Sequence, residues 1–379
     1  MVQSWQLTDR MHVVLRDNAK NMSKGIMETG LPSVGCVAHT FQLSVKRGLA
    51  TQRNLEATVA LCRKIATHFS HSTLAKEKLR ELQHTLQLPE HAIMQDVQTR
   101  WNSTYYMTER VLEQKLALVN YATDNDIPEL TKAQWTLLEN TVAVLCPMEN
   151  VTRSVSNDES TMADVIPLVL SVQMTLRNLD AGSLTAMKAE ILDDIVTRYC
   201  DLKSNQLYVV STMTDPRYRT TLLKPESPAT AKQQLLDAAR AVSARAQSHA
   251  DDEDAAASPL RRRQRVQEDD PLQCQDDLLE AHDMAPSTPV EKIAAYLELP
   301  PIPCISCPHA WWRQNEGRFP TLASVARRYL GAPCTSVASE RLFSSAGQVF
   351  TDQRNRLAAE RAEMLLFIKH NLPAIDYNY

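Results

Sequence analysis

Two periodicities of apolar residues alternate along the chain. Met11-His12-Val13-Val14-Leu15 is a short, continuous run rich in β-branched residues, which predicts a buried strand. Val34-Gly35-Cys36-Val37-Ala38 predicts a second. Between them residues 19–28 read as a helix closed by Gly30, with Pro32 just beyond. From 39 to 87 the spacing turns helical almost without break: Phe41, Leu43, Val45, Leu49, Leu55, Val59, Leu61, Ile65, Phe69, Leu74, Leu79, Leu82 and Leu86. Gly48 and the His-Ser pairs near residue 70 are expected to divide this stretch, and Pro89 to end it. Residues 93–99 read as a connector, and Arg100-Trp101-Asn102-Ser103-Thr104 opens a helix to about 121. Further helices are expected over 133–150, 161–179, 184–200 and after Pro228. Leu207-Tyr208-Val209-Val210 reads as an extended piece entering a turn at Asp215-Pro216-Arg217-Tyr218. Beyond 290, helices are expected at 290–299, 322–330 and 336–347, with an apolar one around 364–368 stopped by Pro373.

The 333–347 stretch organises the C-terminal region. Pro333 cannot continue a helix, Thr335 or Ser336 can cap a new one, and Gly347 suits its close. Ala338, Leu342 and Ala346 form an apolar stripe at i, i+4 and i+8, with Phe343 beside it. Glu340 lies about 200° round the helix from Leu342. Taken alone it is a solvated glutamate on an amphipathic helix.

Composition adds bounds to this picture. At ~150 residues per domain, 379 residues suggest two or three domains. Only 8 Gly leans the chain towards helix. A net charge of -4 excludes no partner, because a nucleic-acid binder can carry a local basic face on a near-neutral chain. No signal peptide is evident, and no apolar stretch approaches the ~20 residues of a membrane span. The eight Cys are expected to be reduced thiols. Residues 246–289 alternate charge blocks, Asp251-Asp252-Glu253-Asp254, Arg261-Arg262-Arg263-Gln264-Arg265 and Glu268-Asp269-Asp270, and read as a disordered linker. The basic block reads first as a solvated run and second as a nuclear import signal.

Candidate chemistry is sparse when residues are taken singly. Asp17 ends a strand, where two-metal phosphoryl-transfer sites place carboxylates for Mg²⁺ or Mn²⁺. Trp101 by itself reads as a core aromatic at a helix start. Cys36-x-x-His39 is half a zinc site. Cys304-x-x-Cys307 with His309 imitates metal spacing, but no fourth ligand accompanies it, and a Pro-rich turn is the simpler reading.

Several blocks in a common order resemble the hAT superfamily of cut-and-paste DNA transposases and its domesticated relatives among BED-type zinc-finger proteins. They are Val13–Met22, Cys36–Leu43, Asp96–Thr104, Asp215–Tyr218 and a long C-terminal block. The last comprises Trp311-Trp312, Phe319-Pro320, Ala326, Tyr329-Leu330, Ser336-Val337, Ser339–Ser344, Gly347, Arg354, Arg356-Leu357 and Leu365-Leu366-Phe367, and resembles a dimerisation region. The resemblance implies an α/β, predominantly helical chain: a truncated RNase H-like core, interrupted by a large all-α insertion, and a helical C-terminal dimerisation region. The expected boundaries are a core segment at 1–110, the insertion at 111–245, the linker at 246–289 and the dimerisation region at 290–379. It implies that Asp17 and Glu340 are the second and third acids of a catalytic triad, that they approach each other, and that they ligate Mg or Mn if a full site exists. It implies that Trp101 stacks on a base while Arg100 and His39 lie near DNA. Trp311, Trp312, Phe319, Tyr329, Leu342, Phe343, Leu365, Leu366 and Phe367 become dimerisation or packing residues.

The first acid, its strands and a BED finger have no counterpart in this sequence, and nothing supports Asp9 as a substitute. The expectation is therefore a nuclear protein that dimerises, binds DNA, needs no cofactor, avoids membranes and does not transpose DNA. The alternative is an active transposase or nuclease, if the chain is part of a longer protein. A third reading is a fragment that does not fold stably.

Overall fold

The computed structural model describes residues 11–97, 100–223, 228–256, 288–349 and 357–372. Asp9, Gln98, Thr99, the blocks at 261–270, Arg354, Arg356 and Pro373 lie outside them. The described chain forms two compact units, one of residues 13–160, 168–200 and 334–379, the other of residues 1–12, 161–167 and 201–333.

The first unit begins with β1 (Val14–Arg16), α1 (Lys20–Glu28) and β2 (Ser33–Gly35). The strands pair in parallel, Val14 opposite Ser33 and Arg16 opposite Gly35. This is a small βαβ turn of chain. β1 is half-buried and not the buried strand expected, since a two-stranded sheet can cover little of either face. Among the described residues this is the one sheet, and it does not by itself amount to an RNase H-like core.

Helices make the rest of this unit: α2 (Val37–Leu49), α3 (Arg53–His71), α4 (Thr73–Thr85), α5 (Trp101–Glu113), α6 (Lys115–Asp124), α7 (Lys132–Val155), most of α8 (Val165–Asn178) and α9 (Thr185–Arg198). The breakers act much as expected. The chain turns after Gly48, at Ser72, whose side chain accepts from Ala75 N, and before Pro89. The helix opening at Trp101 divides at Gln114 into α5 and α6. Phe41, Leu55, Ile65, Phe69, Leu138 and Ile191 are all buried, and each such side chain contributes ~1.5–3 kcal/mol. α2 lies close against α9, and a Cβ on Gly48 would sit 2.4 Å from Ile191 Cγ1. Asp194 of α9 fixes that contact. Ser44 Oγ donates to it at 2.7 Å and Arg47 at 3.0 Å, and Arg198 bonds it from one turn along.

The second unit is built around α10 (Gln206–Thr214), with α11 (Pro228–Ala256), α12 (Pro289–Glu298), α13 (Pro308–Asn315) and α14 (Pro320–Leu330). α10 corrects the extended reading of Leu207–Val210. Its β-branched residues are fully buried on a helix, because tertiary packing outweighs their weak preference for strand. α11 is also longer than expected and continues to Ala256, past the expected start of the linker at 246. Pro opens α12, α13 and α14 at a position where its missing N–H is not needed.

Two further helices, α15 (Val337–Val349) and α16 (Ala359–Asn371), pack together in the first unit. Gly347 falls inside α15 and does not close it. No residue of α15 is buried, and on α16 only Ala362 is. The Ala338-Leu342-Ala346 stripe therefore does not form a core.

Candidate functional site

The carboxyl end of the small sheet gathers the first group of residues. Arg16 O accepts from Cys36 N at 2.7 Å, and Cys36, the residue before α2, is buried. Its Sγ accepts from Ser336 N at 3.4 Å, and Val37 N donates to Cys334 O. Thr335 Oγ1 bonds Val155 O, and Arg341 donates to Asp158 and Ser156 O. These contacts seat the start of α15 beside the ends of β1 and β2, which brings the Asp17 and Glu340 segments into one neighbourhood. Each acid has a local partner there. Asp17 Oδ1 accepts from Ala19 N at 3.0 Å, and Glu340 Oε1 from Ser336 Oγ at 2.9 Å. Mg or Mn takes hard carboxylate oxygens and keeps water in its other positions. Among the described residues no group of three or more His, Cys, Asp or Glu is placed to hold a metal. Cys36 joins chain segments, and His39 lies half-buried on the first turn of α2.

The second group surrounds the start of α5. Asp96 is buried and takes a forked bond from Arg63 Nε and Nη2 (3.0 and 2.8 Å) and one from Thr104 Oγ1 at 2.8 Å. Burial alone would raise its carboxyl, but Arg63 and Thr104 hold it below the usual carboxylate range. Ser103 Oγ also accepts from Val97 N. The Asp-to-Thr block thus positions a helix N-terminus, a role its sequence did not reveal. It presents Arg100, which is exposed. Trp101 is 6% exposed, and it lines a cavity of ≈ 400 Å³ with Lys46, Leu55, Val59, Arg63 and Tyr105. Its ring is not the open stacking platform expected, because the block that exposes Arg100 turns the next side chain inward.

The third group explains the Asp215–Tyr218 block. Asp215 is fully buried at the end of α10 and accepts from Arg217 N, Nε and Nη2. Arg217 also reaches Asp164 at 2.8 Å, and Tyr218 donates to the same oxygen. Burial pushes the Asp215 carboxyl up, against the pull of Arg217, while the two acids keep Arg217 firmly protonated. Arg219 sits at φ 47°, a strained left-handed conformation for a non-glycine. It is held by the rings of Tyr296 and Trp311 and by the carbonyls of Leu299 and Pro300. Arg219 lies one residue beyond the Asp215–Tyr218 block. Trp312 donates to Thr214 O at 2.8 Å, and Tyr296 to Met213 O at 3.1 Å. Trp312, Phe319 and Tyr329 are buried within their own unit and Trp311 is half-buried there. These four are internal packing residues and not a free dimerisation surface.

The fourth group is apolar and open. Phe343 is 75% exposed, Phe367 68% and Met364 63%, with Leu342, Leu365 and Ile368 also exposed; Leu366 is half-buried. These six large apolar side chains lie exposed on two helices that pack together.

Comparison with known proteins accounts for these blocks. Residues 295–372 match the hAT family C-terminal dimerisation region, and residues 34–144 match the ZBED1 RNase-like helical domain. Human zinc finger BED domain-containing protein 4 is 29% identical over 370 residues, covering 97% of this chain and 31% of that protein. Mouse zinc finger BED domain-containing protein 6 is 22% identical over 395 residues, 97% of this chain and 40% of its own length. The maize putative AC transposase is 24% identical over 382 residues, 95% of this chain and 46% of its own. The chain thus spans between about a third and about a half of these relatives. No helix among the described residues is long and apolar enough to cross a membrane. With one match in the helical region, one at the C-terminal end, and relatives aligned over nearly all of its length, the chain is similar throughout to hAT-derived, ZBED-like proteins.

Proposed function

We propose that this chain is a self-associating, DNA-binding protein of the nucleus that assembles through α15 and α16 and does not cut or join DNA. The observation that carries this reading is the exposed set Leu342, Phe343, Met364, Leu365, Phe367 and Ile368, inside the segment that matches a dimerisation region. Apolar surface of this size is stabilised by removal from water. Asp17 and Glu340, each occupied by a local hydrogen bond, serve the backbone turn before α1 and the start of α15. DNA contact centres on Arg100, exposed at the α5 N-terminus, where the amide groups also favour phosphate. Neither task calls for a cofactor.

Light scattering on the purified chain at micromolar concentration tests the assembly. A dimer or larger species is expected, reduced to monomer by Phe343→Asp with Phe367→Asp; a monomeric wild type would overturn it. For DNA, Arg100→Glu should weaken duplex binding and lower the salt slope by about 0.9. Equal affinity at every salt concentration would remove Arg100 from the interface.

A second reading has one observation in its favour. The Arg16–Cys36–Ser336 contacts bring the two acid-bearing segments together, as a catalytic triad would need. On this reading the chain is part of an active transposase, and the remaining ligand lies elsewhere on a longer protein. Cleavage of terminal-repeat DNA with Mn²⁺, abolished by Asp17→Asn, would favour it over the assembly reading.

A further inference from the structure

The turn before α13 holds a pair of thiols that neither assembly nor DNA contact uses. Cys304 and Cys307 are both free and exposed, with two residues between them. Ser306 N donates to Pro303 O at 2.9 Å, so the chain reverses at Cys304 and Ile305. Pro300, Pro301 and Pro303 precede the turn and Pro308 follows it, which restricts the backbone on both sides. Both flanks are anchored. Ile302 N donates to Pro216 O at 3.1 Å, and Trp312 of α13 to Thr214 O at 2.8 Å. Between these anchors Ile305 is 98% exposed, so nothing among the described residues packs over the turn.

Other uses of the pair fit less well. His309 does not join the two thiols in a metal-holding group among the described residues. The remaining described cysteines differ in kind. Cys36, Cys62 and Cys334 are buried, and burial pushes the Cys62 thiol up to about 12. Cys200 is exposed but stands alone, so it is the natural control.

We propose that Cys304 and Cys307 form a reversible dithiol–disulfide site that exchanges with a small-molecule disulfide of the glutathione type. One thiolate attacks a sulfur of the reagent, forming a mixed disulfide and expelling one reagent thiolate. The second cysteine attacks the protein-bound sulfur, closing the Cys304–Cys307 bond and expelling the other. The protein loses two electrons and two protons, and the reagent leaves as two thiols. Closure asks for a Cα separation of roughly 4.4–6.8 Å. A chain already bent at 304–305, with no described residue packed over it, can reach this by small backbone rotations. The bond then ties the segment anchored at Ile302 to the helix anchored at Trp312.

Mass action gives this site a signature that a lone thiol lacks. Closure consumes one oxidised glutathione and releases two reduced ones. At a fixed ratio of the two forms, diluting both tenfold therefore raises the closed-to-open ratio about tenfold. A mixed disulfide on Cys200 depends on the ratio alone. The experiment equilibrates the full chain with glutathione at two dilutions of one ratio, quenches, alkylates and digests with trypsin. Cleavage after Lys292 and Arg313 releases both cysteines on one peptide with no other cysteine. The expected result is a peptide lighter by two hydrogens whose abundance follows the dilution, while the Cys200 adduct does not change. C304S and C307S should each carry a glutathione adduct that follows the ratio, as Cys200 does. Glutathione adducts on Cys304 and Cys307 of the wild type with no dilution dependence would overturn the proposal. So would two free thiols under conditions that modify Cys200.

Discussion

The segment that matches the hAT dimerisation region has two halves that treat apolar residues in opposite ways. Up to Pro333 most of its large apolar side chains are buried inside their own unit, Ile305 being the exposed exception. Tyr296, Trp312, Phe319, Leu322, Val325 and Leu330 are buried, and the two aromatic donors are tied to the last carbonyls of α10. From Val337 onward α15 buries nothing and α16 only Ala362, while six large apolar residues face outward. A burial pattern separates what the sequence block presented as one region. The first half holds a unit together, and the second offers a surface to something else.

Deleting the ring of Trp312 should give the largest separation between the halves. Trp312→Ala removes a buried aromatic that packs on Tyr296 and strands the Thr214 carbonyl it served, for a loss of about 3–5 kcal/mol. The check is urea unfolding followed by tryptophan fluorescence and circular dichroism. A loss below about 1 kcal/mol would mean that the first half also packs loosely, and the contrast would fail.

How far the sequence foretold this contrast differs between levels. Helix ends were legible where Gly and Pro mark them locally, as after Gly48 and before Pro89. Strand-like residues in 207–210 misled, because only the surrounding helices decide that a β-branched run is buried as helix. The Asp-to-Thr and Asp-to-Tyr blocks were visible as motifs. Their use as buried charge clamps depends on Arg63 and Asp164, distant residues that no local pattern connects to them. The stripe on α15 shows the same limit from the other side. A period of i, i+4, i+8 reports an apolar face, but not whether the covering partner lies within the chain.

Acid should loosen the first half ahead of the acid-sensitive contacts elsewhere. His12 packs edge-on against Tyr329, with ring centroids 4.5 Å apart, and its Nδ1 accepts from Arg328 Nε at 3.0 Å. Burial, then Arg328, then Arg245, push it down to about 4 from 6.5. Between those values the unfolded chain binds the proton more readily. The stability contributed by neutral His12 is therefore full above about pH 6.5 and lost as pH falls towards 4. The ceiling is about 3 kcal/mol, lessened by the partial exposure of the ring. Asp96 and Asp194 have depressed carboxyls and begin to lose their contribution only near pH 4 and below. Hydrogen exchange at pH 5 should show faster opening around Tyr329 than around α5 and α9, and His12→Phe should remove the difference. Equal rates in the wild type would take His12 out of the account.

The smallest effect on folding is expected in the second half, and its concentration dependence is what gives it meaning. Phe343→Ala with Phe367→Ala takes away rings that are mostly in water within one chain, so unfolding of dilute protein should change by no more than about 0.5 kcal/mol. An assembled protein gains stability by mass action, with a midpoint that rises as the chain is concentrated. The wild type should show that rise and the double variant should lose it. If both midpoints stay flat with concentration, the exposed face of α15 and α16 contributes nothing between copies of the chain. If the variant unfolds far more easily even when dilute, the rings are covered within a single chain. Either result would erase the contrast with Trp312, because it requires a large cost on one side and a purely associative one on the other.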